Sequence, residues 1–515
     1  MSTSRAPLTD FSLAVSALTP RCVVVALRAT GLQFTLPSEM SYTLVSPAGE
    51  RTGTATTSAV ILDDLVPNTA YVLRLAGQEL VFSTPDCAGL VDASDFGLSE
   101  DAANNADAIN AGVAATPKGG TLRIPAGRYV TGPVLLKSNM TLHLCKGAVL
   151  FGSADRSSHY GQLPSHDAHG RMLGSWEGLP AAMYKSLITA IDCTGLSIAG
   201  LGTLDGGGAE GDWWTWPKET REGARRPRTI YALRCDGLTL AGITVRNSPS
   251  WTVHPVLCDD AVFAGLTIWN PSDSPNTDGL DPEMCRYARL EGIHFSVGDD
   301  CIAVKSGKRS DTGNGDHLAL TSHLTIRNCR MERGHGAVVM GSEMSGSITD
   351  VTISDCEFVG TDRGLRIKTR RGRGGEVARI TCERSTMDKV DTALSANGYY
   401  YCDWDGRSDA VQNRTPAPVT DLTPHVHSIT LRDCEIRNVR LAFAAVLGLS
   451  ERPIEGVSIE NVVVSFDPDA VAEAPLMADN IPELRHVGIW SKFAEVRVNG
   501  SLQLAEISSF ASSGV

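Results

Sequence analysis

The sequence predicts an all-β protein in which a small β-module precedes a long parallel β-helix. From residue 195 onward, a pattern of alternating apolar residues returns at intervals mostly in the twenties, as in LTLAGITV (238–245) and ITLRDCEI (429–436). Such alternation inside a repeat is typical of strands that each turn of a solenoid adds to a shared core. The 515 residues include 50 glycines and only 6% aromatics, which suits tight turns. The long amphipathic helices that a doubly wound α/β fold needs are absent from the sequence.

Residues 11 to about 85 predict the small module. β-Branched runs such as CVVVALRA (22–29) and AYVLRLAG (70–77) are separated by Pro, Gly, Asn and Asp. Tyr71 follows LVPNT (65–69), and this arrangement resembles the tyrosine corner of fibronectin type III sandwiches. We therefore predict a fibronectin type III-like β-sandwich over residues 1–88 and a β-helix domain over residues 89–515.

The β-helix is expected to open with a helix. Residues 102–114 predict a short helix that begins at Ser99 or Asp101 and ends near Pro117. A solenoid must cover its open first coil, and a leading helix does so.

The overall charge restricts the possible partners. The net charge of −13 argues against nucleic acid and against an anionic membrane surface. If the substrate is itself anionic, the acidic protein needs a local group of basic residues to bind it.

The cysteines and the first residues predict the compartment. The thirteen cysteines show neither CxxC pairs nor Cys/His metal spacing, so we expect buried free thiols and no zinc. The first residues lack the pattern of a signal peptide, and no run reaches transmembrane length. These features predict a cytoplasmic protein, or a periplasmic or secreted one if the N-terminus has been trimmed.

Three carboxylates mark the candidate catalytic stretch. Asp278 lies in an Asn-Thr-Asp-Gly cluster, and the pair Asp299 and Asp300 follows Gly298. The offset of 299 − 278 = 21 residues is about one solenoid turn, so the carboxylates should lie on neighbouring rungs about 4.8 Å apart. Crowded carboxylates have pKa values that split, so that one serves as an acid and another as a base. Glycoside hydrolysis needs such a pair.

A histidine and a basic stretch follow downstream. His335 lies in Arg-Gly-His-Gly, one longer coil after the aspartate pair, where it can hydrogen-bond an acid. Residues 362–375, DRGLRIKTRRGRGG, form the expected basic group. Arg366 and Lys368 are two residues apart on a strand, so both point to one face, where they suit a sugar carboxylate. The Arg370–Arg373 tail better fits a solvated basic loop.

Aromatic side chains could form the wall of a cleft. The loop 205–228 carries Trp213, Trp214 and Trp216, which are too many for the core of so glycine-rich a segment, so we expect some of them to stack on sugars. The run NGYYY (397–401) adds a ring or hydroxyl roughly one coil after the basic residues. Trp251 and His254 are a second candidate for the cleft wall. For His254, a structural role is as well supported as a contact with the substrate.

Four ordered motifs resemble a known family. NTD (276–278), GDD (298–300), GHG (334–336) and RIK (366–368) look like those of the polygalacturonases of glycoside hydrolase family 28. The resemblance covers roughly residues 92–465. It implies a right-handed parallel β-helix and inverting hydrolysis of α-1,4-galacturonide bonds, with no metal or other cofactor.

The resemblance also implies the roles of the acid–base residues. Asp299 would be the general acid, and His335 would support its protonation. Asp278 and Asp300 would hold and deprotonate the attacking water.

Binding residues follow from the same resemblance. Arg366 and Lys368 would bind the galacturonate carboxylate, and Asn276 would orient Asp278. A tyrosine of the 399–401 run, with Tyr399 and Tyr400 as candidates, would complete the site beside Trp213 and Trp214. The extra module and the tryptophan-rich insertion are typical of exo-acting bacterial members.

Two alternatives and one conflict stay open at this point. The three aspartates could bind calcium in a β-elimination lyase with Arg366 as base, or the β-helix could bind carbohydrate without catalysis. The conflict concerns stereochemistry. Carboxyl groups on adjacent rungs would be spaced about as in retaining enzymes (roughly 5–5.5 Å) and closer than in inverting enzymes (roughly 6.5–9.5 Å). We follow the family resemblance on stereochemistry.

Overall fold

The structure is a computed structural model that describes residues 10–503 and 507–508. Two antiparallel sheets of three and four strands form the N-terminal β-sandwich, and three long ladders form a right-handed parallel β-helix, so the predicted fold class is confirmed. The sandwich strands are Ser12–Leu18, Val23–Arg28, Thr35–Ser46, Gly49–Thr57, Ala59–Leu62, Ala70–Leu75 and Gln78–Ser83.

The sandwich encloses its own hydrophobic core. Val25, Leu27, Leu44 and Leu73 are buried between the two sheets. Its tyrosine lies where the sequence predicted a tyrosine corner, since the Tyr71 hydroxyl accepts a hydrogen bond of 2.8 Å from the Val66 amide.

Sheet 1 is the longest ladder of the β-helix. Its fourteen strands run parallel except for the last, which turns back. They are Leu90–Asp92, Gly120–Ile124, Met140–Leu144, Ser197–Gly200, Thr239–Ala241, Val262–Ala264, Arg289–Glu291, Thr321–Arg327, Ile348–Ser354, Glu376–Glu383, His425–Arg432, Ile454–Glu460, Ala494–Val498 and Ser501–Gln503.

Sheet 2 has eleven short parallel strands. They are Gly127–Thr131, Ala148–Gly152, Thr203–Asp205, Thr244–Arg246, Thr267–Trp269, His294–Ser296, Arg330–Glu332, Glu357–Val359, Thr386–Asp388, Glu435–Val439 and Val463–Phe466.

Sheet 3 is formed by two ladders that residues 280–286 connect through isolated bridges. The first ladder comprises Val134–Leu136, Ile188–Ile191, Ile230–Leu233 and Val253–Val256. The second comprises Asp300–Val304, Gly336–Met340, Arg363–Lys368, Thr392–Asn397, Ala442–Leu447, Val487–Lys492 and Ile507–Ser508. Small hairpin strands (Gln162–Leu163 with Met183–Tyr184, and Ser175–Trp176 with Leu179–Pro180) lie in the loop between Ala148–Gly152 of sheet 2 and Ile188–Ile191 of sheet 3.

The opening helix spans Ala106–Ala115, with short helices at Arg156–His159 and Asp409–Gln412 and 3₁₀ turns at Ala93–Phe96 and Trp213–Thr215. It starts later than predicted because the Asn105 side chain bonds the carbonyls of Ser99 and Val130, at 2.9 and 3.0 Å. Those bonds hold residues 99–105 in a turn. No helix among the described residues has both the length and the apolar character needed to cross a membrane.

The thirteen cysteines, all within the described residues, are free thiols, and ten of them are buried. Several stack along the rungs of the β-helix, among them Cys329, Cys356, Cys382 and Cys434. The prediction of buried free thiols is therefore confirmed for most of them.

The sandwich lies against the side of the β-helix. Glycines at the turns after consecutive strands of sheet 1 leave room for sandwich side chains, so that a Cβ at Gly265 would lie 3.0 Å from Ile61. Arg28 forms a two-pronged ion pair with Glu291, at 3.0 and 2.8 Å. Apolar packing and a charged pair therefore fix the module on the solenoid.

We expect Gly292→Ala to loosen the sandwich. A Cβ at Gly292 would overlap the Ala59 side chain, whereas Gly237, with nearly the same φ (+65° against +66°), has no atom within 4 Å. Gly237→Ala should cost about 1–2 kcal/mol for the left-handed conformation alone. Gly292→Ala should cost about 1–3 kcal/mol more from overpacking. Denaturant unfolding measures the difference, and equal losses in the two variants would show that the contact does not matter.

Candidate active site

The three predicted carboxylates lie together on sheet 3. Asp300 begins the strand Asp300–Val304, Asp299 lies in the turn before it, and Asp278 lies on the preceding rung. The rung spacing is direct, because the Gly279 amide donates to the Asp300 carbonyl at 2.9 Å. One oxygen from each carboxylate lies within 4.8 Å of the other two. The 21-residue offset therefore corresponds to neighbouring rungs.

Two cations hold Asp300. Lys368 Nζ donates to one of its oxygens at 2.6 Å and Arg366 Nη1 to the other at 3.1 Å. Burial by itself would raise the pKa of Asp300, but the charges of Lys368 and Arg366 lower that pKa well below its usual range. Asp300 is therefore a carboxylate at any pH near neutrality. Lys368 and Arg366 share one face of their strand, as the sequence predicted.

Asp278 has the opposite character. Burial, and then the negative charge of Asp299, raise the pKa of Asp278 well above its ordinary value. Its side chain is 6% exposed, against 23% for Asp299. Asp278 and Asp299 therefore form a pair in which burial favours the protonated form of Asp278, beside an Asp300 that stays ionised.

His335 contacts the more exposed member of that pair. Its Nδ1 lies 3.3 Å from Asp299 Oδ1, and its backbone amide donates to the Asp299 carbonyl at 2.9 Å. The hydrogen bond to Asp299 raises the pKa of His335 above the ordinary value for histidine. The imidazole is therefore positioned to exchange a proton with Asp299.

Lys305 is a charged residue of this site that the sequence analysis did not identify. Its ammonium lies 3.8 Å from Asp278, 3.6 Å from Asp281 and 3.1 Å from Glu343, and it stands 4.3 Å from the centre of the Trp251 ring. Burial raises the pKa of Asp281 to about 8 despite this contact. A sequence signal existed for Asp281, three residues after Asp278. None existed for Glu343, which lies in the turn after Gly336–Met340, the strand paired with Asp300–Val304.

Asn276 holds a loop. Its Oδ1 accepts a hydrogen bond of 2.7 Å from Arg226, and the same guanidinium donates to the Pro217, Pro249 and Pro275 carbonyls. Arg226 is fully buried. The contact that the structure gives Asn276 is thus with the tryptophan-rich loop, where the sequence analysis expected one with Asp278.

The structure places the tryptophans differently from the prediction. Trp213 and Trp216 are 1% and 0% exposed and stack on each other with ring centroids 5.5 Å apart. They form the core of their own loop together with Tyr160 and Tyr184. The glycine-rich backbone folds back on these rings, so Trp213 has no free face for a sugar. Trp214 is half-buried and donates to the Ser248 carbonyl at 2.9 Å.

The two tyrosine candidates, Tyr399 and Tyr400, also have different surroundings. Tyr400 lies beside the basic pair, with its ring 5.8 Å from the Arg366 guanidinium and 5.4 Å from the Lys368 ammonium. Tyr399 points away into another cluster, where Arg371 and Arg414 cover its ring. Only Tyr400 of these two is therefore brought to the carboxylates.

Two other features of the sequence, His254 and the Arg370–Arg373 tail, form contacts with acidic side chains of the protein. His254 is fully buried and lies 2.8 Å from Glu283. The Arg370–Arg373 tail is paired instead of solvated, since Arg370 and Arg373 both contact Asp403 and Arg371 contacts Glu451.

Loops from distant coils meet beside the site. Lys218 of the tryptophan-rich loop lies 3.3 Å from the Cys402 sulfur and 3.3 Å from Glu177. Lys308 lies 2.9 Å from Asp403 in the loop that follows the tyrosines. Four loops, which carry Glu177, Lys218, Lys308 and the Cys402–Asp403 pair, are thus linked by these contacts.

Comparisons with known proteins agree with this fold and identify the family. Residues 125–471 match the family described as "Glycosyl hydrolases family 28". A Vitis vinifera protein described as "Probable polygalacturonase" is 35% identical over 350 residues, which are 67% of each chain. An "Exo-poly-alpha-D-galacturonosidase" of Dickeya chrysanthemi is 26% identical over 67% of this chain and 62% of its own length.

Solved structures share the architecture. The family 28 exopolygalacturonase of Yersinia enterocolitica superposes with a TM-score of 0.66 and 17% identity, over 97% of this chain and 100% of that one. The exopolygalacturonase of Thermotoga maritima gives a TM-score of 0.63 and 22% identity, over 82% and 94% of the two chains. The family match spans about two thirds of the sequence, including all four motifs, and the chain therefore belongs to glycoside hydrolase family 28.

Proposed function

We propose that this enzyme hydrolyses α-1,4-galacturonide bonds in pectin-derived oligo- and polygalacturonates. The observation that carries the proposal is the contact of Asp300 with Arg366 and Lys368, beside Asp278 and Asp299. It places an acid–base group next to a site for an anionic sugar. Arg366 and Lys368 already engage both oxygens of Asp300, so a calcium ion would have to compete with two cations for that carboxylate, which favours hydrolysis over calcium-dependent elimination.

In the proposed reaction Asp299 protonates the leaving glycosidic oxygen. Asp299 is the more exposed of Asp278 and Asp299, and His335 can return a proton to it. Asp278 and Asp300 lie behind it and hold the attacking water. As the C–O bond breaks, the water oxygen bonds to the anomeric carbon and its proton passes to this pair.

Family membership supports inversion at the anomeric carbon. The carboxylate oxygens, within 4.8 Å of one another, are closer than the roughly 6.5–9.5 Å usual for inverting enzymes. The anomer of the first product is therefore the deciding measurement.

The substrate carboxylate is proposed to bind beside Arg366, Lys368 and Tyr400. Both cations have hydrogen-bonding capacity left, since an arginine offers five N–H donors and a lysine three. A forked guanidinium suits a planar carboxylate. The Tyr400 ring next to them can pack against a sugar face.

We propose that the enzyme removes units from a chain end. The contacts of Lys218 with Glu177 and Cys402, and of Lys308 with Asp403, join four loops beside the site. Joined loops of this kind turn an open groove into a pocket that holds a terminus.

We further propose a cytoplasmic location and a boundary near residue 88. Thirteen free thiols, most of them buried, suit a reducing compartment.

The separate core of the sandwich supports residues 1–88 as a domain, and residues 89–515 as the second. The net charge of −13 supports neither nucleic acid nor an anionic membrane as a partner.

Asp299→Asn should abolish most turnover while binding persists. Loss of the general acid is expected to lower kcat on trigalacturonate by about 10²–10⁴-fold, with little change in affinity. The exposed Asp236→Asn is the matched control and should behave like the parent. Turnover by Asp299→Asn near that of the control would remove Asp299 from the acid role.

Lys368→Met should change both binding and the acid limb of the pH profile. Lys368 lowers the pKa of Asp300, so Asp300 stays ionised as the pH falls through the usual aspartate range. Without the ammonium that pKa rises, and kcat/KM should begin to fall at a higher pH. KM should also rise about 10-fold, because a charge-assisted bond to the substrate is lost.

The exposed Lys146→Met controls for loss of a positive charge. An acid limb that does not move in Lys368→Met would show that Asp300 does not limit activity at low pH.

Digestion of polygalacturonate should release monomer or dimer while viscosity falls slowly. Closed loops admit a chain end, so internal cuts should be rare, and reducing ends should accumulate before the polymer shortens. Proton NMR of the same digest should show the β-anomer first. Early random fragments with a rapid fall in viscosity would exclude action from a chain end.

A further inference from the structure

A second cluster of ligand-type side chains lies outside the active site, on the face of sheet 1. His425 and His427 are two residues apart at the start of the strand His425–Arg432, so both project from the same face, while Val426 between them is buried. Glu376 begins the neighbouring strand Glu376–Glu383, in register with His425. Two rungs of the solenoid thus bring two imidazoles and one carboxylate together.

The three side chains are already close. His427 Nε2 lies 2.6 Å from Glu376 Oε1, and the two imidazole centroids are 4.2 Å apart. One nitrogen of each histidine and one oxygen of Glu376 lie within 4.8 Å of one another. All three residues are half-buried, so an ion could reach them without unfolding.

His425 has no hydrogen bond to its ring nitrogens from any residue that the structure describes. Its ring packs against that of His427, and the backbone of its strand is hydrogen-bonded to the neighbouring strand. The ring nitrogens of His425 can therefore bind a ligand together with His427 and Glu376.

We propose that Glu376, His425 and His427 form a binding site for a divalent transition-metal ion of the zinc class. Two imidazoles and one carboxylate are a ligand set that zinc accepts, with a fourth position left for water. A tetrahedral zinc ion separates its ligand atoms by about 3.3 Å. The widest separation, at most 4.8 Å, would therefore close by up to about 1.5 Å, and the 2.6 Å between His427 and Glu376 would open. The ion would displace the proton between His427 and Glu376.

The surrounding charges fit a cation of this kind. Glu455 lies on the next strand of sheet 1, in register with His427, and can supply a further carboxylate. Arg452 is nearby, and one of its nitrogens is engaged by the Thr423 carbonyl at 3.0 Å. The carboxylates of Glu376 and Glu455 together outweigh the positive charge of Arg452, so the site has a net negative charge that a bound cation would neutralise.

The site would join consecutive coils without taking part in catalysis. Its ligands come from two adjacent strands of sheet 1, whereas the aspartates lie on sheet 3. An ion bound there therefore stabilises the folded β-helix by mass action, and turnover should be unaffected.

The test is metal binding by the full-length protein after treatment with a chelator. Cobalt(II) is the spectroscopic probe, and zinc is added in calorimetry. We expect one equivalent of zinc to bind at Glu376, His425 and His427, a cobalt(II) visible spectrum typical of four-coordinate sites, and a rise of several degrees in Tm at saturating zinc. The double variant His425→Gln/His427→Gln should lose all three.

Two controls separate this site from other binding. His169→Gln removes an exposed histidine that lies elsewhere and should leave the signals intact. The double variant keeps Asp278, Asp299 and Asp300, so binding that persists in it, or a parent that binds no zinc, would overturn the proposal. The Tm of the metal-free double variant should equal that of the metal-free parent, which shows that the variant folds.

Discussion

The spacing between neighbouring rungs is the constraint on which the site depends. Parallel strands of a solenoid stand about 4.8 Å apart, and side chains at equivalent positions inherit that distance. Asp278 and the pair Asp299 and Asp300 are therefore forced together. At this separation three carboxylates cannot all be ionised unless positive charge is supplied nearby, so the choice of neighbouring residues decides which of them holds a proton.

The neighbouring cations divide the three carboxylates into two kinds. Arg366 and Lys368 contact Asp300 directly and keep it ionised. Lys305 stands farther from Asp278, at 3.8 Å, and shares its charge with Asp281 and Glu343. Burial and the charge of Asp299 raise the pKa of Asp278 by more than Lys305 lowers it. The same stacking that crowds the aspartates thus delivers, from later coils, the charges that distinguish them.

The solenoid also explains why loops could be added without disturbing this arrangement. The ladders fix the backbone, and insertions such as the tryptophan-rich loop leave from turns between strands. That loop has an aromatic core of its own in Trp213 and Trp216 and is held by Arg226 at Asn276. An aromatic-rich insertion can therefore be a self-packed structural unit, and its composition does not reveal which rings face a ligand.

The sequence by itself determined the fold class, the two-part organisation and the elements that carry the acid and basic residues. Those features follow from periodicity: a repeat of one coil predicts stacking, and two-residue alternation predicts that Arg366 and Lys368 share a face. Only the tertiary structure decided that Lys305 and Glu343 belong to the site, that Tyr400 and not Tyr399 lies beside it, and that Trp213 is buried. These facts depend on how loops of different coils pack against one another, and no local pattern encodes contacts between segments so far apart in the chain.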